Sequence, residues 1–599
     1  MKPLPRATDI ASARRWQGRC VIAVAFGLLS LSSCNTQPSS DKSQQQQKQD
    51  GVSTAKATPP SSNSQDSSRI RVDWLKDALG GCIYRNGSDQ QHHFLLETTG
   101  GGIAAFDYDR DGRIDIAAAG GGYPVPSERA MKGYPGSLMR CVEKMRFTDA
   151  KSYARMDLSE IYNAAIAIGD WDADGFSDLL ATGYSGLQLL RNQGDGTFEK
   201  MPNPRSGLVD SLWSSSAVWF DADGDGLLDL YVAHYADWSY ENDPKCTAPK
   251  ESGSPEVVPD YCGPRAYKGL PDTLFANQGD GTFNDITKSA GISDSLRGLG
   301  IIVADLDGDR DTDIYVANDV DPNLLYRNDG GFQFTEMARR SGVACNDVGI
   351  PEGSMGIALA DYNGDGRFDL WVTNYQNEIG ALYRSSGNML FSYASQSARI
   401  PATDEGAVGW GTAFADMDLD GKEDIFIVNG HVELHANGSS FEQRPQILHN
   451  IDRKYFRLVS RDESEFLSTP QSARSLAMAD FNDDGRMDFA VSRLNTEAVL
   501  VTNRTETDGL YLKVRLAGTR SNRDGIGTTV RMLVGEQTYL RQLVGGGTYA
   551  GTNDSVLHFG VPASLSAEKP QLTILWPSGI EQKVEVDGWN QELLIVEQE

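Results

Sequence analysis

Short apolar runs of four to six residues, rich in branched and aromatic side chains, recur through the middle of the chain, and each stops at an acidic turn. Gly102-Ile-Ala-Ala-Phe106, Ala165-Ile-Ala-Ile-Gly169, Ala217-Val-Trp-Phe220, Ile301-Ile-Val-Ala304, Ile357-Ala-Leu-Ala360, Thr412-Ala-Phe-Ala415 and Leu476-Ala-Met-Ala479 precede such turns. Leu230-Tyr-Val-Ala233, Ile314-Tyr-Val-Ala317, Leu370-Trp-Val-Thr373 and Ile425-Phe-Ile-Val428 follow them. Runs this short, bounded by turn residues, predict buried strands rather than helices. Further along come Leu190-Arg-Asn-Gln-Gly-Asp-Gly-Thr-Phe198, Phe275-Ala-Asn-Gln-Gly-Asp-Gly-Thr-Phe283 and Tyr326-Arg-Asn-Asp-Gly-Gly-Phe332, whose Asn, Gly and Asp-Gly content suits tight hairpins. Each unit therefore offers four strands. Four-stranded units repeated along a chain read as propeller blades, and a closed ring needs no capping repeat. The expected fold is all-β, with a seven-bladed β-propeller at 69–507 followed by a small β-sandwich at 508–599.

The acidic turns share the pattern Asp-x-Asp-x-Asp-Gly-x-x-Asp. Positions one, three, five and nine are Asp107, Asp109, Asp111 and Asp115 in the first loop, and Asp170, Asp172, Asp174 and Asp178 in the second. They are Asp221, Asp223, Asp225 and Asp229 in the third, and Asp305, Asp307, Asp309 and Asp313 in the fourth. The fifth has Asp361, Asn363, Asp365 and Asp369, and the sixth Asp416, Asp418, Asp420 and Asp424. The seventh has Asp480, Asn482, Asp484 and Asp488. Alternating carboxylates with a sharp turn at position six suit a hard cation such as Ca²⁺, which takes six to eight oxygens. An EF-hand begins alike but needs Glu at position twelve and flanking helices. Here position twelve is apolar in all seven loops and the flanks are strands. Arg310 replaces the glycine of the fourth loop, so that site ranks lowest. Without a cation the packed carboxylates would repel one another. Up to seven Ca²⁺ would halve the formal charge of −28.

These repeats resemble the FG-GAP/VCBS type of integrin-α-like propellers, over roughly residues 95–505. In that family the first, third, fifth and ninth side chains hold a structural calcium, and the resemblance implies the same roles for the residues above. Ser521-Asn-Arg-Asp-Gly-Ile-Gly527, Leu557-His-Phe-Gly560 and Trp576-Pro-Ser-Gly579 resemble the ASPIC/UnbV domain. Together with Glu97-Thr-Thr-Gly-Gly-Gly102 and Cys262-Gly-Pro264, they make the chain similar to bacterial relatives of cartilage acidic protein. That resemblance implies an extracellular calcium-binding protein without settled chemistry. Arg523 and Asp524 read as a turn-stabilising pair.

The first residues carry a different signal. Lys2, Arg6, Arg14, Arg15 and Arg19 precede an apolar run, Val21 to Leu31, too short to span a bilayer. It ends in Leu31-Ser-Ser-Cys34, which resembles a bacterial lipobox. The resemblance implies a signal peptide at 1–33, lipidation of Cys34 and a location at the bacterial cell envelope, on the outer membrane or cell surface. Residues 34–68 are Ser-, Gln- and Thr-rich and read as a disordered tether. Cys246 and Cys262 flank a Pro-containing insertion and form the expected disulfide; a Cys82–Cys141 pairing, which would leave Cys345 reduced, is one arrangement of the remaining thiols, whose partners the sequence leaves open.

The acidic composition excludes a nucleic-acid-coating role. No Gly-x-Ser-x-Gly, His-Glu-x-x-His or Cys-x-x-Cys-His occurs. His431, Glu433 and His435 form the one candidate metal or catalytic set outside the loops, and no catalytic residue is assigned. The reading is a lipid-anchored, calcium-binding, non-catalytic module for a protein or glycan ligand. The alternatives are an extracellular hydrolase using a propeller face, or a scaffold in an envelope complex.

Overall fold

In a computed structural model that describes residues 70–87, 92–202, 206–401 and 406–598, the repeating runs are strands of separate antiparallel sheets. The expected signal peptide, Cys34 and the expected tether lie outside the described residues. Among those described, seven sheets carry the Asp loops, six with four strands from the repeat and the seventh with three. Innermost strands such as Gly298–Ala304 and Gly409–Ala415 are buried along their whole length because neighbouring sheets cover both faces, and the others keep at most one half-buried residue. Each such run ends at the Asp loop, and the ninth-position Asp opens the second strand, as in Asp313–Asn318 and Asp424–Asn429. The innermost strands touch one another in circular order, and the strand Ala473–Ala479 of the seventh sheet returns to Ile103–Phe106 of the first. The architecture is a β-propeller with a C-terminal β domain.

Closure uses the N-terminal end of the described chain. The strand Val72–Leu75 pairs antiparallel with Val499–Asn503 and forms the outer strand of the seventh sheet. Ile70 and Val72 are buried against Phe426, Phe489 and Val501. Neighbouring sheets are also stitched by side chains. Asn192, Asn277 and Asn328, each on the third strand of its sheet, donate from Nδ2 to the Tyr108, Trp171 and Ala222 carbonyls of the preceding loop, at 2.8 to 2.9 Å. Asn450 and Asn503 repeat the contact to Tyr362 and Met417.

The C-terminal domain packs a three-stranded sheet against a four-stranded one around Val514, Met532, Phe559, Ile574 and Trp576. It sits on the Asp-loop face of the ring. Asp170 N–H donates to Asp524 Oδ2 at 2.9 Å, Asp305 N–H to Gln542 Oε1 at 3.0 Å, and Thr507 Oγ1 to the Asp418 carbonyl at 2.6 Å. Asp524 is thus a clamp between domains as well as a neighbour of Arg523, whose guanidinium donates instead to the Gly518 carbonyl.

One segment of this domain enters the ring. Gly545–Gly546 pairs with the innermost strand of the fourth sheet, and Ile166 N–H and Ala105 N–H donate to the Ala550 and Thr552 carbonyls. The fit demands glycine at Gly551, where a Cβ would lie 2.2 Å from the Ile103 carbonyl oxygen. Tyr549 is the anchor. Its ring meets Trp410 edge-on at 4.7 Å and its hydroxyl accepts from Gly100 N–H at 3.0 Å. Replacing Tyr549 by Ala should cost about 3–5 kcal/mol, the usual range for deleting a buried aromatic ring. The check is a denaturant melt; a midpoint unchanged from wild type would mean the segment is not packed as described.

Cys246 and Cys262 form a disulfide that ties the ends of a hairpin inserted in the third sheet. Cys82 and Cys141 form no bridge. Both thiols are free and buried; Cys141 Sγ donates to the Glu143 carbonyl, while Cys82 sits in apolar packing beside Met139. Cys345 is free and half-buried. No helix among the described residues is long and apolar enough to cross a membrane.

Candidate metal centres

The loops share a hydrogen-bond template that assigns tasks to the first, fifth and ninth positions. The first carboxylate caps the turn: Asp107, Asp170, Asp361, Asp416 and Asp480 accept from the N–H of position five on Oδ1 and of position six on Oδ2. The fifth accepts from the N–H of position seven, as Asp111 does from Arg113. The ninth clamps the hairpin to its third strand. Asp115, Asp178, Asp229, Asp313, Asp369, Asp424 and Asp488 each accept on Oδ1 from Cys141, Asn192, Asn277, Asn328, Ser385, Asn450 and Asn503 N–H in turn, at 2.7 to 2.9 Å. Position six requires positive φ, and Arg310 adopts it at 84°, within the 80–92° of its glycine counterparts. The fourth loop thus keeps its shape at a backbone cost of about 1–2 kcal/mol.

The third position joins this capping in four loops, where Asp172, Asp223, Asp307 and Asn363 accept from the N–H of position five; in the other three it does not. Oδ1 of Asp109, Asp418 and Asn482 is buried without a hydrogen-bond partner, as is Oδ2 of Asp369 and Asp488. Buried oxygens of this kind are costly unless something pairs with them. In five loops, three ligand-capable groups bring atoms within 4.8 Å of one another. The sets are Asp107, Asp109 and Asp115; Asp170, Asp172 and Asp178; Asp221, Asp223 and Asp225; Asp305, Asp307 and Asp313; and Asp418, Asp420 and His449. The donors fit a hard cation in the first four. Asp111, Asp174, Asp229 and Asp309 fall outside their sets, as do Asp416 and Asp424. The fifth and seventh loops, with Asn363 and Asn482 at position three, form no such set of carboxylates or imidazoles.

Cationic side chains that sequence reading missed also lie on the loops. Arg140 reaches Asp109 Oδ2 at 2.5 Å and Asp111 Oδ2 at 2.8 Å. Arg191 meets Asp172 and, at 3.0 Å, Asp174. Lys513 of the C-terminal domain puts its ammonium 3.0 Å from Asp480 Oδ2 and 2.9 Å from Asp483 Oδ1. None of these has a spacing signal in the sequence; each is placed by strand register or domain docking. His431, Glu433 and His435 do not form a site. The His431 ring is buried and uses both nitrogens, Nδ1 accepting from Glu433 N–H at 2.9 Å and Nε2 facing Gln376 Oε1 at 3.0 Å. Burial, helped by nearby Arg474, drops its pKa to about 4.

Burial dominates the electrostatics of the loops. It pushes Asp115, Asp229 and Asp369 up to about 8 and Asp178 to about 9, against the pull of the backbone N–H groups they accept. A carboxyl raised in the folded state contributes stability below its unfolded value and loses it as pH rises through the folded value. The metal-free chain should therefore melt progressively lower between about pH 4 and pH 9. A divalent cation displaces those protons, so the melting increment produced by calcium should grow over the same range. Melting curves with and without chelator at several pH values test this; a metal-free Tm that rises steadily with pH would contradict it.

The model of FG-GAP-like repeats matches residues 170–232, 264–316, 305–372 and 361–427, and that of ASPIC and UnbV matches 518–599. Cartilage acidic protein 1 of Xenopus tropicalis is 24% identical over 500 residues, covering 80% of this chain and 70% of that protein. The Homo sapiens protein is 24% identical over 441 residues, or 63% of this chain and 64% of its own length. Among solved structures, the Aleuria aurantia lectin, a six-bladed β-propeller, aligns with a TM-score of 0.30 at 11% identity, over 60% of this chain and 95% of that one.

Proposed function

For this chain, which carries FG-GAP-like repeats and a C-terminal ASPIC and UnbV domain, we propose a calcium-clipped, non-catalytic binding module held at the bacterial cell envelope by a lipid on Cys34. The observation that carries the calcium reading is the convergence of three oxygen donors in each of four loops, with the buried Asp109 Oδ1 left unpartnered. Bound Ca²⁺ would supply positive charge to carboxylates that backbone N–H groups satisfy only in part. The chain's own part is to hold those oxygens in place by the capping and clamping bonds.

The C-terminal domain covers the loop face, which leaves the opposite face for a partner. There the half-buried Tyr184, Tyr240 and Tyr375 border the buried Trp213, Tyr235 and Trp238. Aromatic groups with a polar tip suit a protein or glycan ligand. Binding of the purified chain to protein and glycan arrays, with and without chelator, tests this reading. Calcium-dependent capture without turnover supports it; turnover of a captured glycan or ester contradicts it. A hydrolase reading has one foothold on the same face, where burial lifts the Asp319 carboxyl to about 6 and Glu352 to about 7. Turnover abolished by Glu352→Gln would favour that reading.

A further inference from the structure

We propose that the sixth loop is a mixed oxygen–imidazole site for a first-row divalent transition ion, Zn²⁺ in the first instance, distinguished from its sister loops by His449. The proposal rests on the reading of the loops as cation sites.

Register defines the position. In every sheet the third-strand N–H that donates to the ninth carboxylate marks one equivalent residue, and the residue just before it is Arg140, Arg191, Ala276, Arg327, Arg384, His449 or Thr502. In the first two loops this residue lays a guanidinium on the carboxylates of positions three and five. A guanidinium has no lone pair to offer a metal. In the sixth sheet the same position supplies an imidazole, which does.

Asp418, Asp420 and His449 bring ligand-capable atoms within 4.8 Å of one another, and His449 Nε2 lies 3.5 Å from Asp418 Oδ2. Asp418 is nine-tenths buried, at 9% side-chain exposure, yet its Oδ1 has no hydrogen-bond partner. His449 Nδ1 is likewise buried and unpartnered. A cavity of about 410 Å³, lined by Asp418, Asp420, His449 and Arg457, opens beside them and gives an ion a way in. Lys422 pairs with Asp420, but Arg113, Arg367 and Arg486 pair positions seven and five in their own loops, so this contact belongs to the loop pattern.

Calcium prefers an all-oxygen shell, whereas imidazole with carboxylate suits zinc and its first-row neighbours. Replacing a fixed guanidinium by a neutral nitrogen donor thus removes a competing charge and adds a softer ligand at the same point.

The test uses the full chain, stripped of metal and equilibrated with millimolar Ca²⁺ and micromolar Zn²⁺, with bound metals counted after buffer exchange. Wild type should retain one Zn²⁺ per chain. His449→Ala should weaken that binding by about tenfold or more, the scale at which even outer-shell partners act. His449→Arg, which restores the residue of the first two loops, should abolish it, with calcium content unchanged in both variants. Zinc retained equally by both variants, or no zinc retained while calcium binds, overturns the proposal and leaves the calcium reading standing. Failure of the chain to hold either metal removes both.

Discussion

Stripping calcium with excess chelator should lower the melting temperature by on the order of 10 °C or more, the largest single effect expected of this protein. An ion bound only by the folded chain stabilises it by about 4 kcal/mol when supplied at a thousand times its dissociation constant. Several loops contribute at once, because the inner strands they join touch in a continuous circle. Loss of the ions also leaves buried carboxyl groups that must take up protons. Differential scanning calorimetry before and after chelation gives the answer. A melting curve that does not move once elemental analysis shows the metal gone would mean the loops are held by their hydrogen bonds alone.

The second large effect is expected from the closing strand. A chain lacking residues 70–76 should lose roughly 5 kcal/mol or more, since it forfeits the ladder to Val499–Asn503 and the buried Ile70 and Val72 side chains. It would also expose Val499–Asn503 as a bare edge, a template for association with other chains. The expected outcome is a lower Tm with concentration-dependent aggregation, read by calorimetry and light scattering. A truncated chain that stays monomeric with an unchanged Tm would show that the ring does not close through this strand.

Much of the propeller was legible because its signal is local and repeated. Each buried run, its Asp loop and the following strand lie within about twenty consecutive residues, and turn chemistry marks the ends. What escaped depends on distance or register. The strand Val72–Leu75 is only Val-Asp-Trp-Leu, with no pattern to tie it to a partner more than four hundred residues away. Nothing in the spacing of residues 545–554 says that a ring surrounds them. In the acidic loops, the capping and clamping carboxylates follow from spacing, whereas Arg140, Arg191, His449 and Lys513 reach the loops only once strand pairing and domain docking are fixed. The His431 set failed for a related reason: its ring is turned into hydrogen bonds with Gln376 and Glu433, which sequence alternation does not reveal.

Elemental analysis of the purified full chain, equilibrated in millimolar Ca²⁺ and then exchanged into metal-free buffer, bears most directly on the idea that cations complete these acidic loops. The account predicts several equivalents of calcium per chain, removable by chelator and lost in part when Asp109 and Asp172 are both changed to Ala. Less than one equivalent under those conditions would contradict it.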